Sequence, residues 1–374
     1  GEHSPWSVEM GATLPLESRP IASSSWRSIP LVRTVLAGSF VLLMLGSAHL
    51  AMTVVNAIEV HLEQPAPSQG MPARMFTDLP LAAELEAALS KTDDPAQQQV
   101  LHAALADARA GRAVPFRTLP VTPTLVASTL LLTALGFALI WLTTRLKTDA
   151  AQTIVGVFAG NLLWTGGVEY GLTIAGRSLG VAKAITVVNG ELAGIYGEYV
   201  LLKHTWGLLV VMLAYLLLLE SSRCPLSVWW RRLTGRADSA AGTGRIENFG
   251  ARSAAQYATT VWAFYLLLLW AYDETVFGVH GLFTNGLMFG ALAGSLYVLW
   301  RLHQYRGWGP AIRYAIGAMI VAWTPLEIAG KWNLFRQPWL LLESRSFLMF
   351  FGGLAVGTAL LWRAQRRTPV VARH

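Results

Sequence analysis

ELAGIYGEYVLLKHTWGLLVVMLAYLLLLESSR, residues 191–223, decides the class of fold. Its second half, LLVVMLAYLLLL, contains no charge and is long enough to cross most of a bilayer as a helix. Its first half carries Glu191, Glu198, Lys203 and His204. A membrane helix that opens on two carboxylates, an ammonium and an imidazole needs a reason for them, because charge in hydrocarbon is costly.

The rest of the chain repeats the apolar half. Of 374 residues, 53% are hydrophobic and only 14% charged, against about a quarter charged in soluble domains. Mean hydropathy is +0.44. Runs of about 20 apolar residues fall at 33–58, 121–142, 151–172, 198–220, 254–273, 280–300, 309–330 and 341–362. The expected fold is an all-α integral membrane protein of about eight transmembrane helices. The first run is too long and too far from the start for a signal peptide, so it reads as a retained span.

Charge gives orientation. Arg145 and Lys147, the six arginines between Arg223 and Arg252, Arg301 and Arg306, and Arg363, Arg366, Arg367 and Arg373 all follow even-numbered spans. With eight spans these loops and both termini share one side, and the positive-inside rule makes it cytoplasmic. The formal charge of +7 thus reads as membrane topology, and no nucleic-acid partner is implied. The expected organisation is a polar cytoplasmic tail over 1–30, a first span over 31–60, an extracytoplasmic cap over 61–120, a seven-span bundle over 121–362 and a basic tail over 363–374. In the cap, Val100, Leu101, Ala104, Leu105 and Ala108 share one helical face, and Asp94-Pro95 marks a break and restart. This predicts a small helical cap between spans one and two. Residues 172–191, apolar but broken by Arg177, Gly180 and Lys183, read as a surface helix or a re-entrant segment.

Gly286, Gly290 and Gly294 repeat every four residues on span six, as do Gly156 and Gly160 on span three and Gly353 and Gly357 on span eight. Such stripes let helices approach closely inside a bundle, or at an interface with other membrane subunits or a second copy. Many of the fifteen tryptophans sit at span ends, as an interface belt requires. A single cysteine, Cys224, rules out an internal disulfide and multi-cysteine metal sites. No internal repeat, phosphate loop or His-Glu-x-x-His appears.

A ruler of 1.5 Å per residue from the arginine-marked ends answers the opening question. His49 and His204 each lie roughly 24 Å from the cytoplasmic end, and Glu169 and Glu198 roughly 33 Å. Asp273, His280 and Glu327 lie about 31 Å out. These groups form one layer in the outer part of the membrane. Carboxylates with imidazoles suit zinc, iron, copper or manganese, and Glu198, Glu169, Asp273, His49 and His204 are the candidate ligands. Glu198, Glu169, Asp273 and Glu327 are candidate catalytic acids and bases. His49 and His204, at one height, are the pair that could hold a haem, and a quinone site needs only a polar handle. Pro325 kinks span seven two residues before Glu327. The expected function is a metal- or redox-linked membrane enzyme, or a subunit of a larger membrane complex, with an outward-facing site. A proton- or cation-coupled transporter and a non-catalytic anchoring subunit are the alternatives.

Overall fold

The computed structural model describes residues 30–76, 80–218 and 248–366. The N-terminal tail, Cys224 with most of its arginine-rich loop, and the last eight residues lie outside them. In chain order the helices are α1 (Pro30–Glu63), α2 (Leu81–Leu89), α3 (Pro95–Arg109), α4 (Pro123–Thr143), α5 (Asp149–Leu162), α6 (Gly171–Leu179), α7 (Gly197–Lys203), α8 (Trp206–Leu218), α9 (Phe249–Ala271), α10 (Leu282–His303), α11 (Trp308–Lys331) and α12 (Ser344–Arg366). A π-helical segment, Leu163–Tyr170, joins α5 to α6 without a break, and a second π turn, Leu348–Gly352, lies inside α12. Six of these helices, α1, α4, α9, α10, α11 and α12, are long and apolar enough to cross a membrane. The chain is a helical membrane protein.

α1 and α11 form the centre. More than half of their apolar windows is buried, 56% and 61%, against 11% for α4 and 17% for α10. Ala37, Phe40 and Val41 of α1 meet Ala311, Ile312, Ala315 and Ile316 of α11, all fully buried. α4 and α10 present Leu130, Leu131, Phe137, Leu292 and Leu296 outward. Faces so apolar are what a lipid solvent requires.

Small residues set the tightest crossing. A Cβ on Gly156 would stand 2.3 Å from the Gly250 carbonyl oxygen, and one on Gly160 would stand 2.6 Å from that of Ala254. α5 and α9 therefore touch backbone to backbone. The α10 stripe behaves differently from the intrabundle expectation. A Cβ on Gly286 or Gly290 would meet nothing within 4 Å among the described residues, and one on Gly294 only Val321.

Residues 172–191 divide between a helix end and short strands rather than forming one helix. α6 carries the third helix on to Leu179, and Gly180 ends it in the left-handed conformation (φ +67°). Strands β3 (Val181–Ala182), β4 (Ala184–Val188) and β5 (Glu191–Ile195) follow. Asn189 and Gly190, both at positive φ, make a two-residue hairpin between β4 and β5. β2 (Arg117–Thr118) adds in parallel to β5, giving the order β2-β5-β4, and β1 (Arg74–Met75) pairs in parallel with β3. The segment between α1 and α4 is thus not purely helical. Leu85 of α2 and Leu101, Ala104 and Leu105 of α3 pack on Ile185 and Val187 of the hairpin, with Val100 and Ala108 beside them. Asp94 caps α3 by accepting from the Ala96 amide at 2.9 Å.

One tie fixes this layer to the bundle and another braces the layer itself. Glu59 near the end of α1 is 2% exposed and accepts from both guanidinium nitrogens of Arg177, at 2.5 and 3.2 Å, and from the Thr122 hydroxyl at 2.6 Å. The Ser68 amide donates to Glu191 on the hairpin at 2.8 Å.

Candidate functional site

Glu169 is the focus. It lies on the π segment, where a widened turn replaces α-helical pairing, a feature common at functional positions. It is 8% exposed. His49 of α1, Glu198 of α7 and Glu327 of α11 are all within electrostatic reach of it, and the Tyr265 hydroxyl of α9 faces it. Groups from four other elements thus act electrostatically on one buried carboxylate.

Aromatic rings line one side. Tyr265 meets Trp164 edge-on at 6.1 Å and Tyr199 edge-on at 6.1 Å. Tyr199 stacks flat on Tyr196, with centroids 5.1 Å apart. Trp262 lies 6.3 Å from Trp164 and donates its indole N–H to Thr205. Tyr196 is half exposed and holds a left-handed backbone (φ +62°) directly before Gly197 and Glu198. A tyrosine in that region is uncommon and carries strain, which accumulates where function requires it.

The opposite side is built on Trp323. Its indole N–H donates to Glu327 at 2.5 Å, and its ring lies 5.8 Å from that of His49. His49 Nδ1 is 3.0 Å from the Leu45 carbonyl. A carbonyl only accepts, so Nδ1 carries the proton and Nε2 is left to accept or to ligate. Pro325 sits inside α11 between Trp323 and Glu327.

The other sequence candidates stand elsewhere. His204 occupies the turn between α7 and α8, is exposed, and donates Nδ1 to the Val200 carbonyl at 2.8 Å. Asp273 is paired with Lys203 and accepts from the Thr275 amide and hydroxyl at 3.0 and 2.7 Å. Burial pushes its carboxyl up, but the hydrogen bonds from Lys203 and Thr275 outweigh this and hold it down at about 2. Its electrostatic neighbours are Lys203 and Lys183. His280 stacks on Trp332 at 5.9 Å, in the loop beyond α9. Lys331 lies 5.6 Å over the Tyr272 ring and within reach of Glu327.

Sequence reasoning pairs Tyr199 with Glu198 but missed the rest of the wall, Tyr196, Tyr265, Trp164 and Trp262. At this height aromatic residues are also what an interface belt supplies, so the pattern carried no distinguishing signal. It also missed the Glu59–Arg177 pair, although Arg177 in an apolar stretch implied a buried acid partner. Among the described residues, no three His, Cys, Asp or Glu side chains stand in metal-ligand geometry. Compared with known proteins, the chain matches no family model, no curated protein and no solved structure.

Proposed function

We propose that this is an eight-span protein of the cytoplasmic membrane whose site, Glu169 with Glu198, Glu327 and His49, takes up positive charge from the outer side. The observation that carries this reading is the convergence of three carboxylates and one imidazole from four helices on the buried position of Glu169. Carboxylates so placed repel one another when ionised. They gain by binding protons or a cation. The nearest guanidinium, Arg177, is already committed to Glu59. On this reading the glutamates hold the cation or pass protons, His49 offers Nε2, and the aromatic wall favours a cationic group over its faces. The chain then serves as a membrane enzyme or as a ligand-handling subunit of a larger complex. A metal ion, if that is the cation, would draw on these same four side chains after they close in. Haem and quinone have no comparable support.

Six helices are long and apolar enough to cross, and on this reading the continuous helix 149–179 and the pair α7–α8 are counted as the other two crossings. The basic ends gather at one end of the bundle. Arg33 donates to the Arg306 carbonyl at 2.5 Å, Thr143 to Asn248 at 3.1 Å and Thr148 to Gln365 at 2.8 Å. That end is assigned to the cytoplasm, which puts α2, α3 and the small sheet outside as a cap. The solid packing of α1 against α11 closes the inner half and favours a one-sided site. Coupled transport is the second reading. The π segment at Glu169 and the proline beside Glu327 favour it, because interrupted helices next to acids build transporter sites.

Trp164, Trp262 and Trp323 line the site and report on it. Purified protein is titrated with protons, Zn²⁺, Mn²⁺, Na⁺ and choline while tryptophan emission is followed, and its metal content and absorption spectrum are recorded. A saturable response that Glu169→Gln removes is the expected result. A wild-type protein indifferent to every one of these cations would end the proposal.

A further inference from the structure

Away from the carboxylate site, α12 and α5 enclose a cleft of about 650 Å³. Its walls are Phe158 of α5 and one face of α12: Phe351, Ala355, Thr358 and Trp362. These α12 residues recur at three- and four-residue intervals, so the cleft runs along the helix. From Phe351 to Trp362 it extends eleven residues, roughly 16 Å. Half of a hydrocarbon core about 30 Å thick is nearly the same length. The cleft therefore spans one leaflet.

Its end is not apolar. Arg363, next to Trp362 in the chain, and Arg366, one turn beyond it, complete the lining. The Arg366 guanidinium lies 5.5 Å from the centroid of the Trp362 ring. Neither arginine forms an ion pair among the described residues. Within the apolar stretch, the Thr358 hydroxyl is buried and has no hydrogen-bond partner there. Such an orphan is costly unless something approaches it. The cleft is thus a leaflet-long apolar slot with two guanidiniums at the membrane–water boundary and one unsatisfied hydroxyl inside.

We propose that the cleft between α5 and α12 is a binding site for one anionic phospholipid, its acyl chain along Phe351, Ala355 and Trp362 and its phosphate on Arg363 and Arg366. Charge complementarity commits the occupant. Guanidiniums pair phosphate oxygens bidentately, and basic pockets at the inner boundary are how helical bundles hold acidic headgroups. The site lies on the opposite leaflet from the carboxylate cluster, as that cluster is oriented above. It would anchor α12, whose lipid-facing window is only 22% buried, to α5.

Protein purified in a mild detergent is examined by native mass spectrometry, and its thermal unfolding is followed in micelles containing phosphatidylglycerol or phosphatidylcholine. Wild type is expected to retain one acidic phospholipid and to be stabilised by phosphatidylglycerol alone. The double variant Arg363→Gln, Arg366→Gln should lose that preference. Ala355→Trp, which fills the slot from an exposed position, should lose the lipid and keep the fold. A photo-crosslinker at position 355 should give a lipid adduct. Equal stabilisation by both lipids, lipid retained in the Ala355→Trp variant, or a crosslink to a peptide of the chain itself would each overturn the proposal. Anionic lipid lost from both variants would establish the site.

Discussion

Arg177 shows how one residue joins the two layers of the molecule. Its guanidinium bridges Glu59 of α1 and the Pro120 carbonyl ahead of α4, while Thr122 also holds Glu59. Both charges are largely withdrawn from solvent, with side chains 15% and 3% exposed. Removing one partner leaves the other charge buried and unpaired, which typically costs about 3–5 kcal/mol. Arg177→Met should therefore lower thermal stability sharply, and the double variant Arg177→Met, Glu59→Leu should recover much of the loss. A double-mutant cycle on unfolding midpoints checks this, and strict additivity would show that the two side chains do not act as a pair. Asp273 makes a pH-dependent tie of the same kind. Its carboxyl is held at about 2, below the ordinary value near 3.9, by Lys203 and Thr275. A depressed carboxyl contributes stability that is complete above its unfolded value and lost as pH falls through its folded one. The α7–α9 tie should therefore be constant from neutral pH down to about 4 and fade towards 2. Unfolding midpoints of wild type and Asp273→Asn should converge over that acid window, where wild type loses what the variant already lacks.

At the scale of elements, fixed helical geometry was legible and helix rotation was not. The rise of 1.5 Å per residue placed His49, Glu169, Glu198 and Glu327 in one layer, and His49, Glu198 and Glu327 each lie within electrostatic reach of Glu169. His204 shared that layer by the same ruler but stands in a turn and is exposed. The break falls at the polar Lys203-His204-Thr205, which reads equally as the polar outer end of one continuous helix. The hairpin had a signal: Asn189-Gly190 between the alternating Ile185, Val187 and Leu192 is a two-residue turn pattern. It was masked by the apolar composition around it, which reads equally as membrane helix. The glycine stripes divide on the same ground, since sequence gives their spacing but not what they face. Gly160→Leu should disrupt the α5–α9 crossing at a typical overpacking cost of about 1–3 kcal/mol, or more against backbone. Gly290→Leu, facing open space, should change stability by less than about 0.5 kcal/mol. Folded yield and unfolding midpoint distinguish them, and a large loss at Gly290 would place a partner helix on α10.

For the whole molecule the question is which end faces which compartment. The cap helices, the β2-β5-β4 sheet, the Glu59–Arg177 tie and the Lys203–Asp273 pair all lie where α1 ends and α4 begins. The hydrogen bonds from Arg33, Thr143 and Thr148 close the opposite end, where Arg145, Lys147, Arg301, Arg363 and Arg366 cluster by sequence. The excess of arginine and lysine beside span ends sets orientation in short loops, and acids count for little. The cap should then be extracytoplasmic and the arginine-rich loop of residues 221–252 cytoplasmic. Single cysteines replacing Ser90 at the end of α2 and Ser239 in that loop, each in a Cys224→Ser background, are labelled in intact cells with an impermeant thiol reagent. The Ser90 position should label from outside and the Ser239 position only after lysis. The reverse pattern would turn the carboxylate site inward and abolish the outward-facing reading. Labelling of both positions from outside would require an even number of crossings between them. That outcome would remove either the 149–179 helix or the α7–α8 pair from the count.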